Sequence, residues 1–118
     1  MARVVALLPD LLFGSKVQGM LAAAGHDVTV AGSPEDVLEQ LAPGVDLVVV
    51  DLCEDAGRRI ELLAGPAAST KTLAFYLHTD VDTRTRALAA GMDVVVPRSR
   101  MAREGAALVD GVLGAART

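Results

Sequence analysis

The run Val45-Asp46-Leu47-Val48-Val49-Val50-Asp51 constrains this chain more than any other stretch. Successive strand residues point to opposite faces, so a run this apolar is covered on both sides, as in parallel sheets flanked by helices. It ends on an acid. In open parallel α/β sheets, ligands and chemistry sit in the crevice outside the carboxyl ends of the strands. Asp51 is therefore the first candidate for a functional residue.

The rest of the chain repeats the alternation of β-branched runs and helical patterns that winds a parallel sheet. A first strand over Arg3 to Leu8 is ended by Pro9. Asp10 then suits the cap of a helix whose apolar positions Val17, Met20, Leu21 and Ala24 recur at helical spacing before Gly25. A second strand, Asp27 to Ala31, leads to Ser33-Pro34-Glu35-Asp36, in which Ser33 caps and Pro34 fits the first helical turn. Val37, Leu38 and Leu41 form the buried stripe of that helix, and Ala42-Pro43-Gly44 hands over to the third strand at Val45.

Beyond Asp51, Arg58 to Ala64 reads as a helix and Gly65 to Lys71 as a loop. Thr72 to Leu77 is a fourth strand. Asp80 or Asp82 caps a helix through Ala90, stopped by Gly91. Val94 to Val96 is a fifth strand ended by Pro97, and Ser99 is the expected cap of a last helix reaching about Ala116. Gly105, Gly111 and Gly114 each cost that helix about 1 kcal/mol relative to Ala, which predicts loose packing.

Composition narrows the function classes. A chain of 118 residues, 52% hydrophobic, suffices for one domain with a buried core, expected to span residues 1–118. Aromatic residues make up only 3%, so Val, Leu and Ala must build that core. A net charge of -4 and a pI near 5.0 argue against nucleic-acid binding, which needs clustered Lys and Arg. Mean hydropathy is positive at +0.41, yet no apolar run approaches the roughly 18 residues of a spanning helix. With no signal-peptide pattern at the start, a cytoplasmic location and no membrane partner are expected. Cys53 is the single cysteine, so no intrachain disulfide forms, and the expected role is that of a small, half-buried hydrophobe.

In its element order, and in the segment Arg84 to Val96 with its phrase Ala87-Leu88-Ala89-Ala90-Gly91-Met92-Asp93, the chain resembles bacterial response-regulator receiver domains. The resemblance implies a flavodoxin-like, three-layer α/β sandwich around a five-stranded parallel sheet of order 2-1-3-4-5. It places Asp51 at the position of the phosphoryl-accepting aspartate.

The companions of that acceptor are altered. Where the family has an acidic pair that holds a divalent metal, this chain has Leu8 and Pro9. Asp10, one position on, is a weak magnesium candidate together with Asp51, and a helix cap is the favoured role. Where the family has a small hydroxyl residue, the spacing from Gly91 gives Tyr76, whose phenol is too bulky for that part and is expected as a wall residue. Arg98 follows Pro97 where a receiver has a lysine followed by a proline. Its planar fork pairs carboxylates in bidentate fashion, so a pair with Asp51 that fills the site is expected. The loop Leu52 to Gly57 lacks the family's Met-Pro and Asp-Gly spacing.

Other signals are weaker. Gly14-Ser15-Lys16 lacks the preceding glycine and the Gly-Lys order of a phosphate-binding loop. His26 is expected on the surface, opposite the carboxyl edge, and His78 on a loop at that edge as a polar surface residue. Arg98, Arg100 and Arg103 crowd a helix start, where the dipole disfavours cations, and so hint at an anionic partner.

The resulting expectation is a receiver-like signalling or protein-interaction module that is not an enzyme, needs no cofactor, and has lost the usual metal and phosphorylation pocket. Its partner is expected to be another protein or a second copy, bound through the last two helices and the strand between them, with Met101, Leu108 and Val112 available. One alternative is an active two-component receiver phosphorylated on Asp51 with Mg2+. Another is a small-ligand or nucleotide-binding flavodoxin-like protein.

Overall fold

The computed structural model describes residues 2–65 and 70–114. Strands β1 (Arg3–Leu7), β2 (Asp27–Ala31), β3 (Leu47–Asp51), β4 (Lys71–Tyr76) and β5 (Val94–Pro97) form one sheet in the order β2-β1-β3-β4-β5, all neighbours parallel. Helices α1 (Leu11–Ala23), α2 (Pro34–Gln40), α3 (Ala56–Ala64), α4 (Val81–Ala89) and α5 (Arg98–Gly114) alternate with them. This is the expected three-layer, flavodoxin-like architecture.

Strand alternation splits the core in two. Val4, Ala6, Leu47, Val49, Leu73, Phe75 and Val96 pack against Val17 and Leu21 of α1 and Met101, Val109 and Val112 of α5. Val5, Leu7, Val48, Val50, Ala74 and Val95 pack against Val37 of α2, Ile60 and Leu63 of α3 and Ala87 of α4. β3 is buried at every position, as its composition requires.

Several boundaries differ from expectation for local reasons. β3 begins at Leu47 rather than Val45, because the Val45 amide closes a turn onto the Ala42 carbonyl (3.1 Å) and the Asp46 carboxylate accepts from the Arg3 amide (2.9 Å). β4 starts one residue early and releases Leu77, whose carbonyl accepts from the Asp80 amide at 2.8 Å. Asp80, not Asp82, caps α4 through the Thr83 amide. In α1 the buried stripe is Gly14, Val17 and Leu21, while Ala24 is the exposed residue closing the helix. Ser99 caps nothing: α5 starts at Arg98, directly after β5. The expected end of α5 near Ala116 and most of the Gly65 to Lys71 loop lie outside the described residues.

The final helix is also packed more closely than its glycines suggest. Gly105 is buried on α1, and a Cβ there would lie 2.7 Å from Met20 Sδ. The missing side chain is what lets the two helices meet. Met101 and Val112 belong to this seam, so they are not free to meet a partner, and Leu108 packs along its border. α5 is broken at Glu104 (φ -125°, ψ 16°).

His26 is likewise not a surface side chain. Its ring is buried, with Nδ1 accepting from the Ala2 amide and Nε2 facing Asp110 Oδ1, both at 3.2 Å.

Candidate functional site at the carboxyl edge

The strand order reverses between β1 and β3, and Asp10, Asp51 and Glu54 converge outside the carboxyl ends of those two strands. β1 stops at Pro9. Asp10 turns the chain into α1, and its Oδ1 accepts from the Phe13 amide at 3.0 Å. Leu11 and Leu12 follow as the first helical residues, 85% and 88% exposed. On β3, Asp51 falls on the face of Leu47 and Val49, toward α1 and α5, beside Phe75 in register. Asp10, Leu11, Leu12, Asp51, Glu54 and Arg98 line a cleft of about 310 Å³.

Asp51 is only 5% exposed. Its Oδ1 accepts from the Cys53 amide at 2.8 Å, which folds the β3–α3 turn back over the carboxylate. Its backbone carbonyl accepts from Arg59 Nη1, also at 2.8 Å. The Cys53 side chain lies against the same carboxylate as a hydrogen-bond partner. Cys53 is half-buried, and burial, followed by the Asp51 charge, pushes its thiol up to about 12. A thiol held neutral in this way is not a nucleophile at neutral pH.

Arg98 does not pair with Asp51. The first residue of α5 lays its guanidinium 4.2 Å above the Phe13 ring and sets Nη2 3.5 Å from Asp10 Oδ2. The aromatic face on α1 draws the fork to that side, where the nearest carboxylate is the helix cap. The Phe13 amide first, and then the Arg98 charge, hold Asp10 below its ordinary value of 3.8, with burial opposing. Arg100 and Arg103 both face Glu104, at 3.4 and 3.8 Å, so the cations at the start of α5 are answered within the chain rather than left for an anionic partner.

Tyr76 does not line the cleft. One residue beyond Phe75, it points to the opposite face and is buried with the α2, α3 and α4 core. His78 is exposed and borders a second cleft of about 270 Å³ with Leu77 and Phe13, on the far side of Arg98.

Arg59 does not stand out in its sequence context, yet it is 7% exposed, and its Nε has no partner among the described residues. The signal was present: Ala56, Arg59, Ile60 and Leu63 recur at the spacing of one helix face, so the arginine falls where an apolar residue is expected.

A receiver-type magnesium ion finds a poor donor set here. Both Asp10 oxygens are engaged, by the Phe13 amide and by Arg98. The Asp51 carboxylate already accepts from the Cys53 amide, and Leu8 and Pro9 offer no side-chain oxygen. Among the described residues, no group of three His, Cys, Asp or Glu side chains is arranged to hold a metal.

Solved structures share this architecture end to end. The non-phosphorylated receiver domain of HemR from Leptospira biflexa superposes with a TM-score of 0.83 at 19% identity, covering 100% of this chain and 98% of that one. The fold is that of response-regulator receiver domains. A receiver protein from Burkholderia phymatum gives 0.81 at 23% identity, covering 98% of each chain, and a response regulator from Thermotoga maritima 0.79 at 17% identity, covering 98% of this chain and 99% of its own. No protein-family model matches the sequence, and no curated protein is similar to it. The receiver fold here is thus carried by strand parity and helix packing, at 17% to 23% identity with these structures.

Proposed function

We propose that this chain is a receiver-like signalling module that acts through protein contact, without metal-dependent phosphoryl transfer at Asp51. Phosphoryl transfer is catalysed almost wholly by positioning and charge stabilisation, so a receiver needs a metal and cations grouped about its acceptor. The observation that carries the reading is the engagement of Asp10. Its two oxygens cap α1 and hold Arg98, while apolar residues stand where metal-holding acids would be. Arg98, which lines the cleft, is thereby engaged by Asp10 and the Phe13 ring of α1.

On this reading the protein is not an enzyme. No helix among the described residues is long and apolar enough to cross a membrane. Self-association through α4, β5 and α5 remains part of the proposal, with Val81 and Leu88 of α4 as its exposed apolar side chains in place of Met101 and Val112. Light scattering over a range of concentrations tests it, and a constant monomer mass removes it.

The decisive experiment is incubation of the purified chain with acetyl phosphate and magnesium, read by intact mass. No phosphoryl increment is expected. An increment that disappears in Asp51→Asn overturns the reading in favour of a working receiver.

A further inference from the structure

At the opposite end of the sheet, the corner where α1, β1, β2 and α5 meet turns on one titratable ring. His26 follows Gly25, whose left-handed φ of 93° ends α1, and its amide donates to the Leu21 carbonyl at 3.1 Å. The turn carries the imidazole inward, to 7% exposure. Nδ1 lies 3.2 Å from the Ala2 amide and Nε2 3.2 Å from Asp110 Oδ1. One nitrogen thus meets the residue before β1, and the other meets α5. The Ala2 carbonyl in turn accepts from the Asp27 amide at 2.8 Å, which makes Ala2 the first rung between β1 and β2.

The two partners demand different things of the ring. A backbone N–H only donates, so the Nδ1 facing Ala2 carries a lone pair, and an ionised carboxylate only accepts, so the Nε2 facing Asp110 carries the proton. The neutral Nε2–H tautomer alone satisfies both. In the protonated ring both nitrogens donate, so Asp110 gains a charge-assisted bond while the Ala2 amide meets N–H against N–H. The other charges of the corner are directed elsewhere. The last turn of α1, Met20 to Ala24, carries none. Arg3 of β1 reaches toward the Gly44 turn, and its amide donates to Asp46 at 2.9 Å. Asp27 of β2 is exposed, and on α5 Arg103 pairs with Glu104, nearly two turns before Asp110.

We propose that His26 is a proton-operated latch: neutral, it fastens the start of β1 to α5, and on taking a proton from solvent at Nδ1 it releases the Ala2 amide while keeping Asp110 as an ion pair. Histidine is the side chain whose charge changes between about pH 5 and pH 8, so the latch works in a range that leaves the carboxylates ionised. The opening is local. The interior of β1 is paired with β2 on one side and β3 on the other, and it stays closed when the first rung is released. The latch lies away from the carboxyl edge and stands whether or not Asp51 accepts a phosphoryl group.

The test is NMR of the isotopically labelled full chain between about pH 8 and pH 5. At the alkaline end the imidazole nitrogens should report the Nε2–H tautomer. As the ring titrates, the Ala2 and Asp27 amides should shift with the ring's own midpoint and lose about tenfold in hydrogen-exchange protection, while Val5 and Ala6 keep theirs. His26→Asn, which offers Ala2 an acceptor that does not titrate, should abolish the response. Asp110→Asn removes the charge that rewards the protonated ring and should move the midpoint to lower pH. An Nδ1–H tautomer at the alkaline end, an Ala2 amide indifferent to the ring's titration, or the same response in His26→Asn overturns the proposal. So does protection lost at Val5 and Ala6 together with Ala2, or an unmoved midpoint in Asp110→Asn. The tautomer and the Ala2 amide are read on the unaltered chain, so they decide the matter even where a variant fails to fold.

Discussion

The two ends of the sheet are finished differently. At the amino ends of the strands, polar side chains are tied to the backbone of the neighbouring element. The Asp46 carboxylate accepts from the Arg3 amide. His26 links the Ala2 amide to Asp110 on α5. Asp93 accepts from the Thr72 amide at 2.8 Å, while the Asp93 amide donates back to Thr72 Oγ1 at 2.9 Å. Lys71 Nζ donates to the carbonyls of Val112 and Leu113, near the end of α5. At the carboxyl ends, by contrast, Arg59 keeps a buried Nε with no partner among the described residues, and Leu11 and Leu12 face solvent. One end is fastened and the other is left available. Buried polar groups are nearly always paired, and the exceptions mark where a structure gives up stability for another purpose.

This contrast can be broken or sharpened by substitution. The largest loss is expected from Asp93→Ala, which leaves the buried Thr72 amide and hydroxyl without their acceptor. Chemical denaturation should show about 2 to 3 kcal/mol less stability, and a loss within error would mean the amino edge is not fastened as described. Lys71→Met should cost about 1 kcal/mol, because the terminal carbonyls of α5 lose a cation that also suits the helix dipole.

At the open edge the sign reverses. Asp51→Asn keeps an acceptor for the Cys53 amide but removes a buried charge, so the variant should gain about 1 kcal/mol. A destabilised variant would show that the charge itself is stabilised where it lies. Asp10 gives a smaller, pH-dependent effect. Its folded value is depressed, so the stabilisation is present above the ordinary value of 3.8 and disappears as pH falls through the folded value. Asn caps helices as well as Asp, so the denaturation midpoints of the wild type and Asp10→Asn should differ near neutral pH and converge below that value. The least change belongs to Cys53. With its thiol pushed up to about 12, alkylation of the native chain at mildly alkaline pH should run about a hundredfold or more slower than for an ordinary thiol, and fast labelling would contradict its burial beside Asp51.

Much of the architecture was legible before any coordinates. The all-apolar β3 announced a covered parallel strand, Ser33-Pro34 and Asp10 announced helix starts, and Gly25 and Gly91, at φ 93° and 100°, announced helix ends. These signals are local: a cap, a left-handed turn or an alternating face is fixed by a few neighbouring residues. The site was legible only in part. Asp10, Asp51 and Arg98 stand out in the chain, yet the partner of Arg98 is not legible there, because a ring on α1 and a helix start on α5 meet only after folding. Arg59 was missed because its charge outweighed the helical spacing that places it inside.

The sequence by itself determined which strands are buried, where most helices begin, and that an acid would end β3 at the sheet's carboxyl edge. Tertiary structure decided what that acid would meet. Strand parity turned Tyr76 to the opposite core, the Gly105 seam brought α5 against α1, and the Phe13 ring drew Arg98 to Asp10 rather than to Asp51. Pairings of this kind join residues 88 positions apart in the chain. Their free energies depend on burial and orientation, which exist only once the layers have packed.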